Sequence, residues 1–326
     1  MIWPVSGAEG GPTSGDRGDL RLRTGGDGSF SLWSDRFGQG FHSGRGALRE
    51  AVETFLAPSQ LERFRPGGRI AVLEACVGTG SNLAVLLEAC RRRGLRLEWT
   101  GLELDPRPLN LALAQPTFRA AWQRQTLQVL TQLQQRGGWF RAADSQGRIR
   151  WGDARLTLRQ LRRERPDRLD LIWHDAFSPR RCPELWTVEF LGDLTDLLRR
   201  EGRWISYCSA AAVRETLQRT GLQLAGLLPP VSARGTVEWS GGTVASPTPL
   251  PASDLVRQLS PMEREHLACS AGQPYRDPDG TATAAVILAR REQAQAEALA
   301  RGHRGSSGTW RRRWGLERQG TATEDR

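Results

Sequence analysis

Short apolar runs alternate with amphipathic stretches along most of this chain, and that alternation limits its fold more than any other feature. "RIAVLEA", "LRLEWTGLEL", "RIRWGD", "RLDLIWHD", "GRWISYC" and "LQLAGLL" read as strands, several of them apolar without interruption. Between them, "NLAVLLEACRRR", a long stretch from about Pro108 to Gln135, "LTLRQLRRE", "PELWTVEFLGDLTDLLRR" and "AAAVRETLQRTG" carry helical spacing. Uninterrupted apolar strands have both faces covered, and strands separated by helices run parallel. The predicted fold is therefore α/β, a doubly wound, mostly parallel sheet of Rossmann type. Ahead of it "SFSLWSDRFGQGF" reads as a small hairpin, and "GALREAVETFL" as a helix with apolar Leu48, Val52, Phe55 and Leu56. "LSPMEREHL" shows a helix start, with Ser260, Pro261 and Glu263 in capping positions, and "ATAAVILARR" is expected to supply a last strand. Tyr275 to Pro278 reads as a structural turn.

Residues 1–25 are rich in Gly, Ser, Pro and Asp and are expected to be a disordered tail. Residues 26–290 form the expected folded body, with 26–66 the hairpin and helix and 67–290 the core. The basic stretch 291–326 is expected to be a second disordered tail. Its Arg311, Arg312 and Arg313, between Trp310 and Trp314, read either as solvated or as touching nucleic acid.

The chain has no lysine, so all 46 basic residues are arginine, and the formal charge is +10. That removes Schiff-base and Walker-loop lysine chemistry. The positive excess suits a polyanionic partner, but a base composition enriching Arg, Gly and Ala together gives the same count, and charge alone does not decide. The five cysteines are scattered, with no C-x-x-C pair, which argues against a zinc site or a disulfide framework and for a reducing cytoplasm. No apolar run approaches the roughly 18 residues of a membrane span, and the N-terminus lacks the pattern of a signal peptide.

In doubly wound sheets ligands bind where the strands end. The first core strand closes with "LEACVGTGSN", a glycine turn leading into a helix whose N-terminal amides are unpaired. A dinucleotide fingerprint would need a third glycine where Leu83 stands. S-adenosylmethionine suits the pattern better: Glu74 precedes Gly78 and Gly80, and Glu103 closes the second strand, where a carboxylate accepts both ribose hydroxyls. A tight structural turn is the competing reading. Asp153 follows the third strand, where methyltransferases of this fold often place an acid or amide against the adenine amino group, and the fourth strand delivers Asp175. Asp153 alone reads as a solvated acid, but four successive strand ends bearing acids favour a methyltransferase.

"DAFSPRRCPELWT" resembles the Asp-Gly-Phe-x-Pro-x-Lys-x-Pro-x-Met-Trp-Thr pattern of the MnmC-type methyltransferases, through Asp175, Phe177, Pro179, Pro183, Trp186 and Thr187. The likeness also takes in "DGSFSLWSDRFGQGFHSGRGALREA", "LEACVGTGSNL" with Thr79 and Asn82, "WGDAR" and "GRWISYCSAAAVRETLQRTGLQL", and so covers about residues 27 to 225. Cys76 departs from a family glycine, Ala176 replaces another, and the family lysine falls near Arg180 or Arg181. "SARGTVEWSGGTVAS" stands where the family has a Gly-Phe-Gly-Arg-Lys loop.

The resemblance implies a class I S-adenosylmethionine-dependent methyltransferase with an antiparallel last strand. It implies methylation of the aminomethyl group on the wobble uridine of tRNA, 5-aminomethyl-2-thiouridine becoming 5-methylaminomethyl-2-thiouridine. Some MnmC proteins also carry a flavin oxidase domain; about 36 residues follow Arg290, so the stand-alone form is expected, without FAD or metal and with a separate enzyme supplying the aminomethyl substrate. The implied cofactor residues are Glu74, Gly78, Thr79, Gly80, Asn82, Glu103, Asp153 and Asp175. Asp175 is the expected catalytic residue, whether it orients the amine, accepts its proton or holds the methionine amino group. Phe177, Pro179, Arg180, Arg181 and Trp186 are the expected substrate side, with Trp186 alternatively a buried anchor and the arginines a solvated turn. His174 points to the opposite face of its strand and reads as packing. The same chemistry on another amine, or a silent tRNA-binding module, are the competing functions.

Overall fold

The computed structural model describes residues 18–141, 144–164, 169–228, 240–302 and 305–316. These divide into two compact units, one of Met1–Val52 with Leu61–Pro166 and the other of Glu53–Gln60 with Asp167–Arg326.

The first unit opens with an antiparallel three-stranded sheet of β1 (Leu20–Thr24), β2 (Phe30–Ser34) and β3 (Gln39–Gly40). The expected hairpin is β2–β3. Strand β1 lies within the stretch expected to be a disordered tail: Leu22 pairs with Leu32, and Arg21 anchors on Asp35 at 2.9 Å. The surrounding Gly, Ser, Pro and Asp made this stretch read as a tail, although its alternating leucine and arginine is a strand pattern. Residues 1–17 of that tail lie outside the described residues.

The unit's main sheet holds β4 (Arg69–Ala75), β5 (Arg96–Glu103), β6 (Gly138–Arg141) and β7 (Ser145–Trp151). β4 pairs parallel with β5 and β5 with β7, while β6 runs antiparallel to β7 at the edge. The helix expected over 108–135 is three helices, Arg107–Ala114, Pro116–Ala120 and Arg124–Arg136. Pro116 forces Gln115 into an extended conformation (ψ 125°), which ends the first helix.

In the second unit β8 (Leu169–His174) pairs parallel with β9 (Leu198–Ser206). β10 (Gln223–Leu227), β11 (Thr243–Ser246) and β12 (Val256–Gln258) extend that sheet, with β11 antiparallel to both β9 and β10. The last strand, β12, runs antiparallel to β10, so the expected antiparallel last strand is present, but it is not "ATAAVILARR". That segment begins the helix Ala284–Ala300, because "AAVILARREQAQAEALA" is dominated by the strongest helix formers and only Ile287 and Ala298 are buried. A second helix, Ser307–Arg313, follows, so the basic stretch 291–326 is structured over most of its described length; 317–326 lie outside the described residues. "PELWTVEFLGDLTDLLRR" is also subdivided, into a 3-10 turn at Pro183–Trp186, the helix Val188–Thr195 and the start of β9 at Leu198.

The helical stretch 47–59 buries Ala47, Ala51 and Phe55 and leaves Leu48 and Val52 exposed, so of the apolar positions read from the sequence Phe55 is buried while Leu48 and Val52 are not. Its end belongs to the second unit for a local reason. The Trp173 ring lies 5.7 Å from Phe55 and its Nε1 donates to Ser59 Oγ (2.9 Å), while Arg203 donates to Pro58 O (2.7 Å).

Candidate active site

The turn after β4 is shaped by three residues of positive φ: Cys76 at 70°, Gly78 at 55° and Gly80 at 82°. At Gly78 a Cβ would also stand 3.2 Å from the Phe41 ring. Cys76 adopts this left-handed geometry with a side chain, at a cost of about 1 kcal/mol or more. Cys76→Gly is accordingly expected to raise stability by up to about 1 kcal/mol, the relieved strain being partly offset by a more flexible unfolded chain. Thermal denaturation of the two proteins measures the difference.

Glu103 ends β5 and faces this turn. Its Oε2 accepts the Gly78 N–H (2.9 Å), and Oε1 accepts those of Leu104 (2.7 Å) and Asp105 (2.9 Å). Burial pushes its carboxyl above the usual range, against the downward pull of these amides. The carboxylate is therefore held in one orientation at a partly accessible edge beside Gly78 and Cys76. A carboxylate fixed in this way beside the Gly78 backbone can accept from a pair of neighbouring hydroxyls on a ligand.

The other expected cofactor residues stand behind that edge. Glu74 has no exposure and accepts from Trp99 Nε1 (3.0 Å), so it braces the strand pair from inside. Thr79 and Asn82 are buried as well, and Thr79 Oγ1 bonds Ser81 Oγ (2.9 Å) at the start of the helix Ser81–Arg92. Asp153 follows β7 and accepts from the N–H of Arg155 (2.9 Å) and from its guanidinium (2.7 Å). A base amino group there would share the carboxylate with Arg155.

In the second unit β8 delivers His174 and Asp175 to a turn stiffened by bonds from Arg181 N–H (2.8 Å) and Cys182 N–H (2.9 Å) to Ser178 O. Asp175 and Phe177 are partly accessible, Pro179 is buried, and Arg180 and Arg181 are exposed. Trp186 is fully buried, donates to Phe177 O (2.8 Å) and stacks on His174 at 4.3 Å. A ring enclosed on its faces cannot stack on a nucleotide, so the expected substrate contact of Trp186 is corrected to the alternative reading, an anchor of the turn. Two tyrosines that sequence reasoning did not single out for this turn also support it. Tyr207 donates to Ala176 O (2.8 Å), and buried Tyr275 accepts the Val188 N–H (3.0 Å) through its carbonyl. Where a turn was expected at Tyr275–Pro278, Tyr275 bridges Thr187 and the turn follows, closed by the Gly280 N–H on Asp277 O (3.0 Å), with Arg276 and the Asp277 N–H both held by Glu189 at 2.6 and 2.8 Å.

His174 is enclosed by Trp186, Phe190 and Trp204, and neither ring nitrogen has a hydrogen-bond partner among the described residues. Burial holds its pKa down, to about 3. The unfolded chain takes up a proton near pH 6.5 and the folded chain does not, so this residue withdraws stability as the pH falls below 6.5 towards 3. His174→Phe is expected to flatten that part of the stability profile, measured by denaturant melts at successive pH values, while leaving cofactor affinity unchanged.

Residues 116–230 match the model of a family described as S-adenosyl-L-methionine-dependent methyltransferase. MnmC2 from Aquifex aeolicus superposes with a TM-score of 0.71 at 26% identity, covering 87% of this chain and 86% of that one. This chain has a class I methyltransferase fold. Its curated homologues include the tRNA 5-methylaminomethyl-2-thiouridine biosynthesis bifunctional protein MnmC of Azoarcus sp., 31% identical over 208 residues. That match takes in 59% of this chain and 31% of the Azoarcus protein, so the methyltransferase fold described above spans about a third of the length of such relatives. An uncharacterized protein of Methanocaldococcus jannaschii is 25% identical over 268 residues, which are 82% of this chain and 70% of that protein. No helix among the described residues is long and apolar enough to cross a membrane.

Proposed function

We propose that this chain transfers a methyl group from S-adenosylmethionine to the aminomethyl nitrogen of a modified wobble uridine in tRNA, converting 5-aminomethyl-2-thiouridine to its methylaminomethyl form. The observation that carries the reading is the match over 208 residues to proteins named for 5-methylaminomethyl-2-thiouridine biosynthesis. The glycine turn with its fixed Glu103 supports the cofactor part. Residues 26–290 serve as the methyltransferase body, acting in the cytoplasm without metal or FAD, on an aminomethyl group supplied by a separate enzyme.

The cofactor supplies an electrophilic methyl on a sulfonium. The chain's task is to hold the cofactor by its ribose through Glu103, with Gly78 and Gly80 admitting it closely and Glu74, Thr79 and Asn82 supporting the turn. Asp153 takes the adenine side. An amine attacks only through a free lone pair, so Asp175 aligns the nitrogen and accepts its proton. Phe177 and the exposed Arg180 and Arg181 serve the nucleotide, the ring by stacking and the guanidiniums by pairing with phosphate.

Labelled cofactor and tRNA bearing the aminomethyl uridine, incubated with the protein and digested for nucleoside mass spectrometry, test the reading. It expects the gain of one methyl at that nucleoside. Cofactor binding without methyl transfer to any amine would point instead to a silent module, and transfer to free amines but not to tRNA would point to another substrate.

A further inference from the structure

The segment Ser307–Arg313, basic enough to read as a solvated tail, is a helix seated on the helix Pro261–Ala268. Trp310 is the wedge: it is 2% exposed, stacks on the His266 ring at 3.8 Å and 12°, and donates from Nε1 to Met262 O (2.9 Å). Ser307 Oγ bonds His266 Nε2 (3.0 Å), Trp314 Nε1 donates to Glu265 Oε2 (2.9 Å), and Arg313 pairs with the same carboxylate. An element fixed at four points does not behave as a mobile tail.

Its charge is left largely uncompensated. Glu263 is occupied by Arg214 and Arg257, and Glu265 by Arg313. Arg264, Arg311 and Arg312 are exposed and have no ion pair among the described residues; Arg312 makes one side-chain contact, to Thr309 Oγ1 (3.4 Å). Arg264 also lines a groove of about 340 Å³, where Gln218 and Gln273 add amides and Arg219 is already paired with Glu215 (3.0 Å). Trp314, 41% exposed and oriented by Glu265, adds an aromatic surface to the same helix end.

We propose that the docked helix Ser307–Arg313, together with Arg264, is a phosphate-binding surface for the RNA backbone, held in position by Trp310. The proposal rests on the tRNA reading above and deepens it by naming a second contact region. Arginine guanidinium is planar and pairs two-pronged with phosphate oxygens, and anchoring the helix beforehand lowers the ordering cost of binding. Three unpaired arginines on a fixed frame therefore fit a polyphosphate strand, and each phosphate neutralised releases counterions.

The test measures tRNA binding to the full chain by fluorescence anisotropy over about 50 to 200 mM salt, with cofactor affinity measured separately by calorimetry. The triple variant Arg264→Gln, Arg311→Gln, Arg312→Gln is expected to bind tRNA about tenfold more weakly and to lower the salt slope by about 2 to 3, with cofactor affinity unchanged. Lysine at all three positions should restore most of the slope. Trp310→Ala, which keeps every charge but frees the helix, should weaken binding several-fold. A triple glutamine variant with the wild-type affinity and slope overturns the proposal while leaving the substrate reading intact. No tRNA binding by the wild-type protein overturns both. Arginine-dependent binding to phosphatidylserine vesicles, with tRNA binding unaffected by the triple variant, would assign the surface to a membrane and also overturn it.

Discussion

Replacing Asp175 by asparagine is expected to lower methyl transfer at saturating substrates by about 100-fold or more, the usual scale of a lost proton acceptor. The change is isosteric, and Asp175 sits at the end of a strand whose neighbours Trp173, His174 and Ala176 are all buried, so the fold should survive it. Asparagine keeps an oxygen able to orient the amine but cannot take its proton. If Asp175 is the acceptor, the loss should shrink as the pH rises and the free amine becomes abundant. If it only aligns the nitrogen, the loss should be smaller and independent of pH. Rates measured from about neutral pH upward, with the cofactor affinity of the variant determined alongside, separate these cases. Turnover near that of the wild-type protein at every pH would remove Asp175 from the reaction.

Glu263→Ala is expected to cost about 3 to 5 kcal/mol of stability, because it leaves Arg214 buried without its counter-charge. Arg214 is 1% exposed, and its guanidinium donates to Glu263 (2.8 Å), Thr243 Oγ1 (2.8 Å), Ser240 Oγ (2.8 Å) and Gly242 O (2.9 Å). The same glutamate accepts from Arg257 and from the Ser260 N–H (2.8 Å), completing the capping box of the helix Pro261–Ala268. Burial pushes the Glu263 carboxyl up, but Arg257, Arg214 and the Ser260 amide together hold it at about 2, below its ordinary 4.5. The folded state thus binds its proton later than the unfolded one. The stabilisation is complete above about pH 4.5 and is lost as the pH falls through about 2. Urea melts of wild-type and variant proteins at descending pH should converge in that window; a variant as stable as the wild type at pH 7 would contradict the account.

The strand ends were legible because their signals are local. A glycine turn after an apolar strand, with an acid closing the next strand, needs only sequence spacing to be seen, and Glu103 does stand against Gly78. His174 was legible as packing from the alternation of strand side chains, and it is fully buried. The capping box at Ser260 and Glu263 was also visible, as a pattern over four residues. What Glu263 does beyond that cap was not, since its partner Arg214 lies 49 positions away.

Sequence by itself determined the alternation of core strands and helices, the mostly parallel character of the sheet and the positions of the acids, because hydrophobic periodicity and turn chemistry act over a few residues. Tertiary structure decided which of those residues are accessible. Trp186 and Glu74 carry motif positions yet are enclosed, one by His174 and the other beside Trp99, and Cys76 accepts a backbone geometry its own chemistry disfavours. It also turned an apparent last strand into the helix Ala284–Ala300 and an apparent tail into a helix pinned by Trp310. Burial and long-range pairing settle such choices, and both are properties of residues far apart in the chain that meet only once it has folded.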